Sequence, residues 1–223
     1  MTESLPWKYR CVVFDLDGLL LDTEPIFEEV AERLLSRREK KVDACVLQCM
    51  MGSPARQALE IFRTHHELEE SVAELSAECS QLFFEVLGDE AARLMPGALS
   101  LLERLEERQI PRAIATSSST RYVQRILRPH GILERFQFVL TCDDVLQGKP
   151  FPEVYEKAAS RFGHSPADMV VLEDSPAGLR AAKAAGARCV IVPHHRVPLD
   201  QITGADAIVP SLASPEFLAI LGL

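Results

Sequence analysis

Residues 11–18 read CVVFDLDG, four apolar residues followed by a segment with two aspartates and a glycine. The apolar run is continuous rather than alternating, which is typical of a strand buried on both faces of a parallel sheet covered by helices. Further short apolar runs occupy residues 113–115, 138–140, 169–172, 189–192 and, more weakly, 207–209. Segments of helical periodicity separate these runs, at residues 122–127, 153–162 and 179–185. This alternation predicts an α/β fold with a doubly wound parallel sheet and right-handed crossovers.

One long stretch interrupts the alternation. Between residues 25 and 94 the sequence shows no strand pattern, and apolar residues recur at helical spacing, beginning with Ile26, Phe27 and Val30. Roughly 70 helical residues are too many for a single crossover between two strands. We therefore predict a Rossmann-like sheet domain built from residues 1–23 and 96–223, with an inserted all-α domain at residues 24–95.

The composition bounds the class of protein. The 223 residues are 47% hydrophobic, which is enough for a sizeable core and is not typical of a disordered chain. A net charge of −9 argues against nucleic acid or an anionic membrane as the main partner. The six cysteines are scattered and are interpreted as free buried thiols of a reducing compartment. The sequence shows no signal peptide and no apolar run long enough to cross a bilayer. We expect a cytoplasmic protein that acts as a monomer.

Polar segments follow four of the predicted strands. They contain, in chain order, Asp15 and Asp17, residues 116–119 (TSSS), Lys149, and Glu173 with Asp174. The carboxyl ends of parallel strands share one edge of the sheet, where open α/β proteins bind ligands. The four segments are therefore predicted to converge on one site.

The residue types in these segments suit a metal ion together with a phosphate. Two carboxylates about 4 Å apart repel by roughly 4 kcal/mol at an effective dielectric constant of 20, and a divalent cation removes this cost. Mg²⁺ prefers a few such carboxylates together with water and substrate phosphate. The amides after Thr116 are expected to open a helix and favour an anion, and Lys149 adds a positive charge. Each segment alone is more typical of a turn, a helix cap or a solvated lysine, and their common location favours a site.

The four segments, in this order, resemble the signature motifs of the haloacid dehalogenase-like hydrolase superfamily. Residues 12–24, VVFDLDGLLLDTE, are similar to its first motif, while Thr116, Lys149 and the pair Glu173-Asp174 match the other three. The similarity extends over nearly the whole chain. The helical insertion resembles the α-helical cap of the β-phosphoglucomutase-like branch. Four phrases within the chain, DLDGLLLDTE, LMPGA, ATSS and GKPFPE, resemble those of pseudouridine-5′-phosphatases and sugar-phosphate phosphatases.

This resemblance implies a magnesium-dependent phosphatase. The substrate would be a small phosphorylated metabolite, such as a sugar phosphate or a nucleoside or pseudouridine monophosphate. The resemblance implies that Asp15 is the nucleophile and forms an aspartyl-phosphate. It also implies that Asp17 protonates the leaving oxygen and then deprotonates the attacking water.

The resemblance also implies contacts to the metal and the substrate. Mg²⁺ would be held by Asp15, the main-chain carbonyl of Asp17 and Asp174, with Glu173 in support. Thr116, Ser117 and Lys149 would contact the phosphoryl group. Arg56 and Ser118 are candidates for contact with the substrate.

Four alternative functions are compatible with the same predicted scaffold. A β-phosphoglucomutase would share every core motif. However, the resemblance implies that such mutases carry a histidine at the position of Phe27 and a lysine at the position of Ser119. A haloacid dehalogenase would lack Asp17, because a departing halide needs no proton. A phosphonoacetaldehyde hydrolase would need a Schiff-base lysine, and the candidates Lys40 and Lys41 lie in a charged run typical of a solvated surface. A binding protein without catalysis would be expected to have lost a core motif, and none is missing.

Overall fold

A parallel sheet organises the chain in the computed structural model, which describes residues 8–50, 55–88, 92–193 and 197–223. The described residues form eight strands: β1 (Cys11–Phe14), β2 (Leu21–Asp22), β3 (Arg93–Leu94), β4 (Arg112–Ala115), β5 (Val139–Leu140), β6 (Met169–Glu173), β7 (Arg188–Ile191) and β8 (Ala207–Ile208). They also form nine α-helices: α1 (Glu24–Ser36), α2 (Ala44–Met50), α3 (Ala55–His65), α4 (Val72–Leu87), α5 (Ala98–Glu107), α6 (Thr120–Leu127), α7 (Glu153–Phe162), α8 (Pro176–Ala185) and α9 (Pro215–Leu221).

Six of the strands form one parallel sheet in the order β5-β4-β1-β6-β7-β8. The chain leaves β1 towards β4 and β5 on one side, and later fills β6, β7 and β8 on the other. The doubly wound parallel sheet expected from the sequence is thus confirmed. Its topological switch lies at β1, and a ligand site is expected at the carboxyl end of this strand.

The buried faces of the sheet explain the continuous apolar runs. Val12 and Phe14 of β1 belong to an apolar cluster that includes residues of α5, α6 and α9. Cys11 and Val13 belong to a second cluster that includes residues of α7 and α8. Successive side chains of a strand point to opposite faces, so a strand covered on both faces needs apolar residues at every position.

Residues 24–95, which we call the helical insertion, contain the four helices α1 to α4. Helix α1 packs against α4, α2 against α3, and α3 against α4. Helix α4 begins with a capping box in which Ser71 and Glu74 satisfy each other's main-chain amides. Arg38, just after α1, forms ion pairs with Glu70 at 2.7 Å and with Glu78 of α4 at 2.6 Å.

Two features of this region differ from the sequence-based expectation. Strands β2 and β3 pair antiparallel, with Leu21 opposite Leu94, so Arg93–Leu94 lies in a strand within the segment expected to be entirely helical. Two residues per strand are too few to produce a recognisable alternation. The cysteines also divide, because Cys11 and Cys189 are buried whereas Cys45 and Cys142 are exposed. Among the helices of the described residues, none combines the length and apolarity needed to cross a bilayer.

Candidate active site

Asp15 lies directly after β1, and its side chain is bound by a buried lysine. The residue is 8% exposed, and its Oδ1 accepts a hydrogen bond of 2.5 Å from the Lys149 ammonium. Lys149 also donates to Oε1 of Glu173 at 2.5 Å and to the main-chain carbonyl of Ala115 at 2.9 Å. Three strand ends and the loop after β5 therefore meet at one ammonium group, at the edge of the sheet that the sequence predicts.

Glu173 is fully buried, and both of its carboxylate oxygens have donors. Oε1 accepts hydrogen bonds from Lys149 and from the hydroxyl of Tyr155, the latter at 2.6 Å. Oε2 accepts one of 3.0 Å from the hydroxyl of Ser175. The carboxylate lies against α8 at Gly178, where an added Cβ would be 1.8 Å from its carboxyl carbon. Glu173 is therefore held in one orientation, with Lys149 as its ionic partner.

Asp174 completes a compact group of carboxylates. One ligand oxygen from each of Asp15, Glu173 and Asp174 lies within 4.8 Å of the others. The close approach of Asp174 requires Gly18, which has φ +80° and where an added Cβ would be 2.3 Å from Oδ2 of Asp174. Of the four acidic residues predicted to cluster, the carboxylate of Asp17 is not in this group among the described residues.

The electrostatics of the group favour a cation. Burial raises the pKa of Asp15 to about 7, and the charge of Glu173 adds to this against the opposing effect of Lys149. Burial, Asp15 and Glu173 also hold the pKa of Asp174 well above its usual range. Burial alone would lower the pKa of Lys149, but the two carboxylates it contacts outweigh this effect and raise it. Lys149 therefore stays an ammonium, and its single positive charge does not balance the three carboxylates.

Asp17 has a different environment, made of hydroxyl groups. Its Oδ2 accepts a hydrogen bond of 2.7 Å from Ser118, and its Oδ1 accepts one of 2.6 Å from the hydroxyl of Tyr122. Burial raises the pKa of Asp17, while hydrogen bonds from Tyr122, Ser118 and Thr23 act in the opposite direction. Ser118, a candidate for substrate contact, thus has Asp17 as the partner of its hydroxyl.

The serine-rich segment after β4 is a turn that precedes its helix. Thr116 is 3% exposed, and its hydroxyl oxygen accepts a hydrogen bond of 3.1 Å from the amide of Ser118. Ser117 is exposed. Helix α6 begins only at Thr120. Ser119 is its N-cap, and the hydroxyl oxygen of Ser119 accepts a hydrogen bond from the main-chain amide of Tyr122. The helix expected after Thr116 therefore begins four residues later, at Thr120, because Ser119 supplies the cap.

Arg56 is exposed near the start of α3. Among the contacts of the described residues, none joins Arg56 to the carboxylate group, and residues 51–54 before it lie outside the described ranges. Its contact with substrate stays a prediction.

Sequence reasoning missed two tyrosines that donate hydrogen bonds to carboxylates of the site, one to Glu173 and one to Asp17. Tyr155 is fully buried within the apolar face of α7, and a buried tyrosine hydroxyl usually has a hydrogen-bond partner, here Glu173. That rule is a signal that could have identified Tyr155. Tyr122 lies in the first turn of α6, which follows the sheet edge directly, and its partner Asp17 is far away in sequence.

Comparisons with known proteins bear on this arrangement. A sequence profile of haloacid dehalogenase-like hydrolases matches residues 12–192. The (DL)-glycerol-3-phosphatase 2 of Arabidopsis thaliana is 39% identical over 210 residues, which are 90% of this chain and 86% of that protein. A Drosophila melanogaster protein named "Probable pseudouridine-5′-phosphatase" is 34% identical over 219 residues, which are 96% of this chain and 94% of that protein.

The fold also matches solved structures. The crystal structure of CbbY from Rhodobacter sphaeroides in complex with phosphate gives a TM-score of 0.82 at 26% identity. The match covers 96% of this chain and 100% of that chain. The sheet and the helical insertion therefore both have counterparts in one known structure.

Proposed function

The chain belongs to the haloacid dehalogenase-like hydrolase family and is a phosphoric monoester hydrolase, and we propose that it is magnesium-dependent and forms an aspartyl-phosphate on Asp15. The observation that carries this proposal is the buried Asp15 carboxylate, which contacts Lys149 and neighbours Asp174 at the switch point of the sheet. A carboxylate in this position can attack a phosphorus atom held at the same sheet edge.

The donor set fits Mg²⁺. The carboxylates of Asp15, Glu173 and Asp174 and the ammonium of Lys149 leave a net charge of −2 when ionised, which one divalent cation offsets. Because the oxygens of Glu173 already accept hydrogen bonds, we propose Asp15 and Asp174 as side-chain ligands, with Glu173 in support. The Asp17 carbonyl is proposed as a further ligand. When bound, Mg²⁺ would supply positive charge that offsets both the carboxylates and the phosphoryl oxygens.

The proposed reaction has two steps. In the first, Asp15 attacks phosphorus, the bond from phosphorus to the leaving oxygen breaks, and Asp17 donates its proton to that oxygen. In the second, water attacks the phosphorus of the aspartyl-phosphate, Asp17 takes a proton from this water, and the bond to Asp15 breaks. The products are an alcohol and inorganic phosphate, and the enzyme returns to its initial protonation state.

Phosphate binding is proposed for the turn after β4 and for Lys149. The hydroxyl of Thr116 accepts a hydrogen bond from Ser118, which leaves its own proton available for a phosphoryl oxygen. Ser117 is exposed beside it and can donate to a second oxygen. The buried ammonium of Lys149 adds the charge that balances the phosphoryl group in the transition state.

The substrate is proposed to be a small phosphorylated metabolite enclosed between the sheet edge and the helical insertion. We propose that residues 24–95 act as a cap domain, with Arg56 as a candidate contact, and that residues 1–23 and 96–223 form the catalytic domain. The net charge of −9 supports a small phosphorylated ligand rather than nucleic acid. Monomeric action and a cytoplasmic location stay predictions of the sequence.

A phosphatase screen tests this proposal. The panel contains glycerol 3-phosphate, sugar phosphates, nucleoside monophosphates and pseudouridine 5′-phosphate, each with Mg²⁺ and with excess chelator. We expect phosphate release above about 1 s⁻¹ on at least one of them, loss of turnover on chelation and recovery with Mg²⁺. Asp15→Asn purified in parallel controls for contaminating phosphatase. Turnover that survives chelation, or no turnover on any member, would count against the proposal.

The second candidate, a phosphosugar mutase, is disfavoured by the residue types at two positions, Phe27 and Ser119. The side chain of Ser119 caps α6, and Phe27 is 44% exposed with its ring 4.9 Å from that of Phe83. Phe27 of α1 therefore packs against Phe83 of α4, and part of its ring stays exposed. Incubation with β-glucose 1-phosphate, with and without glucose 1,6-bisphosphate, separates the two functions. Efficient formation of glucose 6-phosphate with little free phosphate would establish the mutase instead.

A further inference from the structure

Tyr122 links Asp17 to the helical insertion. Its hydroxyl donates the 2.6 Å hydrogen bond to Oδ1 of Asp17, while Ser118 donates to Oδ2. A carboxylate bound at both oxygens by two separate donors has its plane fixed. Ser118 lies on the turn after β4, and Tyr122 lies in the first turn of α6. Two adjacent segments of the chain therefore orient Asp17.

The ring of Tyr122 contacts the helical insertion. Its centroid lies 5.1 Å from that of Phe83 in an edge arrangement and 5.9 Å from that of Phe84. Both phenylalanines belong to α4 of the helical insertion. Such aromatic pairs contribute about 0.5–1.5 kcal/mol each beyond the area they bury.

A second contact from α6 reinforces the first. Arg125, one turn after Tyr122, places its guanidinium 3.7 Å from the ring centroid of Phe84. Residues three apart on a helix share one face, so Tyr122 and Arg125 present a joint surface to α4. We call Phe83, Phe84, Tyr122 and Arg125 the aromatic clasp. Through these contacts the helical insertion packs against the residue whose hydroxyl donates a hydrogen bond to Asp17.

We propose that Tyr122 is a positioning residue that orients the carboxylate of Asp17 for proton transfer to the leaving oxygen, and that the aromatic clasp makes this orientation depend on the docked helical insertion. The inference rests on the proposed function, because it concerns the proton donor of that reaction. Tyr122 itself stays a neutral donor, since burial and the charge of Asp17 both raise its pKa. It neither attacks phosphorus nor exchanges a proton with the substrate.

Two substrates that differ in leaving group isolate this role. An alkyl phosphate, such as the best substrate of the screen, needs a proton on its leaving oxygen, whereas 2,4-dinitrophenolate leaves as a stable anion. The ratio of kcat/KM on the alkyl phosphate to kcat/KM on 2,4-dinitrophenyl phosphate therefore reports proton donation in the first step. A loss of folding or of phosphate binding would lower both values and leave the ratio unchanged.

Tyr122→Phe keeps the ring and removes only the hydroxyl. We expect the ratio to fall at least tenfold, with less than a threefold change for the dinitrophenyl ester. Tyr9→Phe is the matched control, because it removes a hydroxyl whose hydrogen bond, 2.8 Å to the main-chain carbonyl of Leu221, involves no residue of the site. An unchanged ratio in Tyr122→Phe, or equal losses on both substrates, would overturn the positioning role.

Phe84→Leu tests the dependence on the helical insertion. It leaves the Tyr122 hydroxyl in place but removes the aromatic contact and the cation–π partner of Arg125. We expect a smaller fall in the same ratio, and little further fall when Phe84→Leu is added to Tyr122→Phe, because both act through one hydrogen bond. Full additivity would overturn the link to the insertion. A wild-type enzyme that releases no phosphate would instead overturn the proposed function, and this inference with it.

Discussion

Two carboxylates two residues apart, Asp15 and Asp17, have opposite surroundings in this protein. Asp15 contacts the ammonium of Lys149 and lies within a group of buried carboxylates. Asp17 is only partly buried and contacts the neutral hydroxyls of Ser118 and Tyr122. The same chemical group therefore has an ionic environment at one position and a hydroxyl environment at the other.

This difference supports a separate role for each residue. Burial raises the pKa of Asp15 to about 7 although Lys149 opposes this shift, so an additional cation such as Mg²⁺ would favour the anion that attacks phosphorus. Protonation of Asp17 breaks no ion pair, and hydroxyl donors remain close to either form of the group. A residue that must both give and take a proton during one turnover benefits from such partners. If the two environments define two functions, replacements of Asp15 and Asp17 should have distinguishable effects.

Replacement of Asp15 should have the largest effect. Asp15→Asn removes the nucleophilic oxygen, since an amide oxygen is a poor nucleophile, and kcat should fall by about a thousandfold or more on every phosphomonoester. The loss should be equal for alkyl and 2,4-dinitrophenyl phosphates. Steady-state phosphate release measures it, with circular dichroism to verify folding. Asp200→Asn makes the same change at an exposed position and should retain wild-type turnover. Retention of a tenth of wild-type activity by Asp15→Asn would exclude the aspartyl-phosphate.

Replacement of Asp17 should depend on the leaving group. Asp17→Asn removes the proton donor, and kcat/KM for an alkyl phosphate should fall by about 10²–10⁴-fold. The corresponding loss on 2,4-dinitrophenyl phosphate should be less than tenfold, because that leaving group needs no proton. The two esters are compared in the same phosphate assay. Equal losses on both esters would show that Asp15 and Asp17 do not divide the chemistry as proposed.

Gly18 directly follows Asp17 in sequence and is expected to control metal affinity. Gly18→Ala would place a Cβ 2.3 Å from Oδ2 of Asp174, so we expect Mg²⁺ affinity to fall about tenfold by calorimetric titration, roughly one order of magnitude for a displaced ligand. Gly163→Ala is the control, because Gly163 also has positive φ but nothing lies within 4 Å of an added Cβ. It should lose some stability from strain alone and keep its Mg²⁺ affinity. Equal Mg²⁺ affinities in the two variants would contradict this account.

The smallest effect concerns stability and pH. The pKa of Asp15 is raised from 3.8 to about 7 by burial and by Glu173 against the effect of Lys149, so the folded state without metal binds a proton that the unfolded state has lost. Its contribution to stability is therefore greatest below pH 4 and declines as the pH rises through about 7. With chelator, the melting temperature of the wild type relative to Asp15→Asn should be lower at pH 7.5 than at pH 5. Mg²⁺ should reverse this trend. A wild-type melting temperature that rises relative to that of Asp15→Asn between pH 5 and pH 7.5, in the presence of chelator, would refute it.

The predicted strands illustrate how far local patterns reach. The first run coincides with β1, and five later runs overlap β4 to β8, because strands covered on both faces need apolar residues at each position. The short pair β2 and β3 escaped prediction, since it is stabilised by the pairing of two chain segments about 70 residues apart rather than by any pattern within either segment. Non-local hydrogen bonds of this kind leave no periodic signal.

The sequence alone determined which groups reach the sheet edge, because the polar segments that follow the predicted parallel strands contain Asp15, Thr116, Lys149 and Glu173. Only the tertiary structure decided which groups pair. It directed Lys149 towards both Asp15 and Glu173, and it turned Asp17 towards the hydroxyl of Tyr122. The physical reason is that hydrogen bonds depend on distances and angles between side chains from different strands and helices, and these are set by packing across the whole fold. The contact between Tyr122 and α4 likewise exists only because the helical insertion and the sheet meet there.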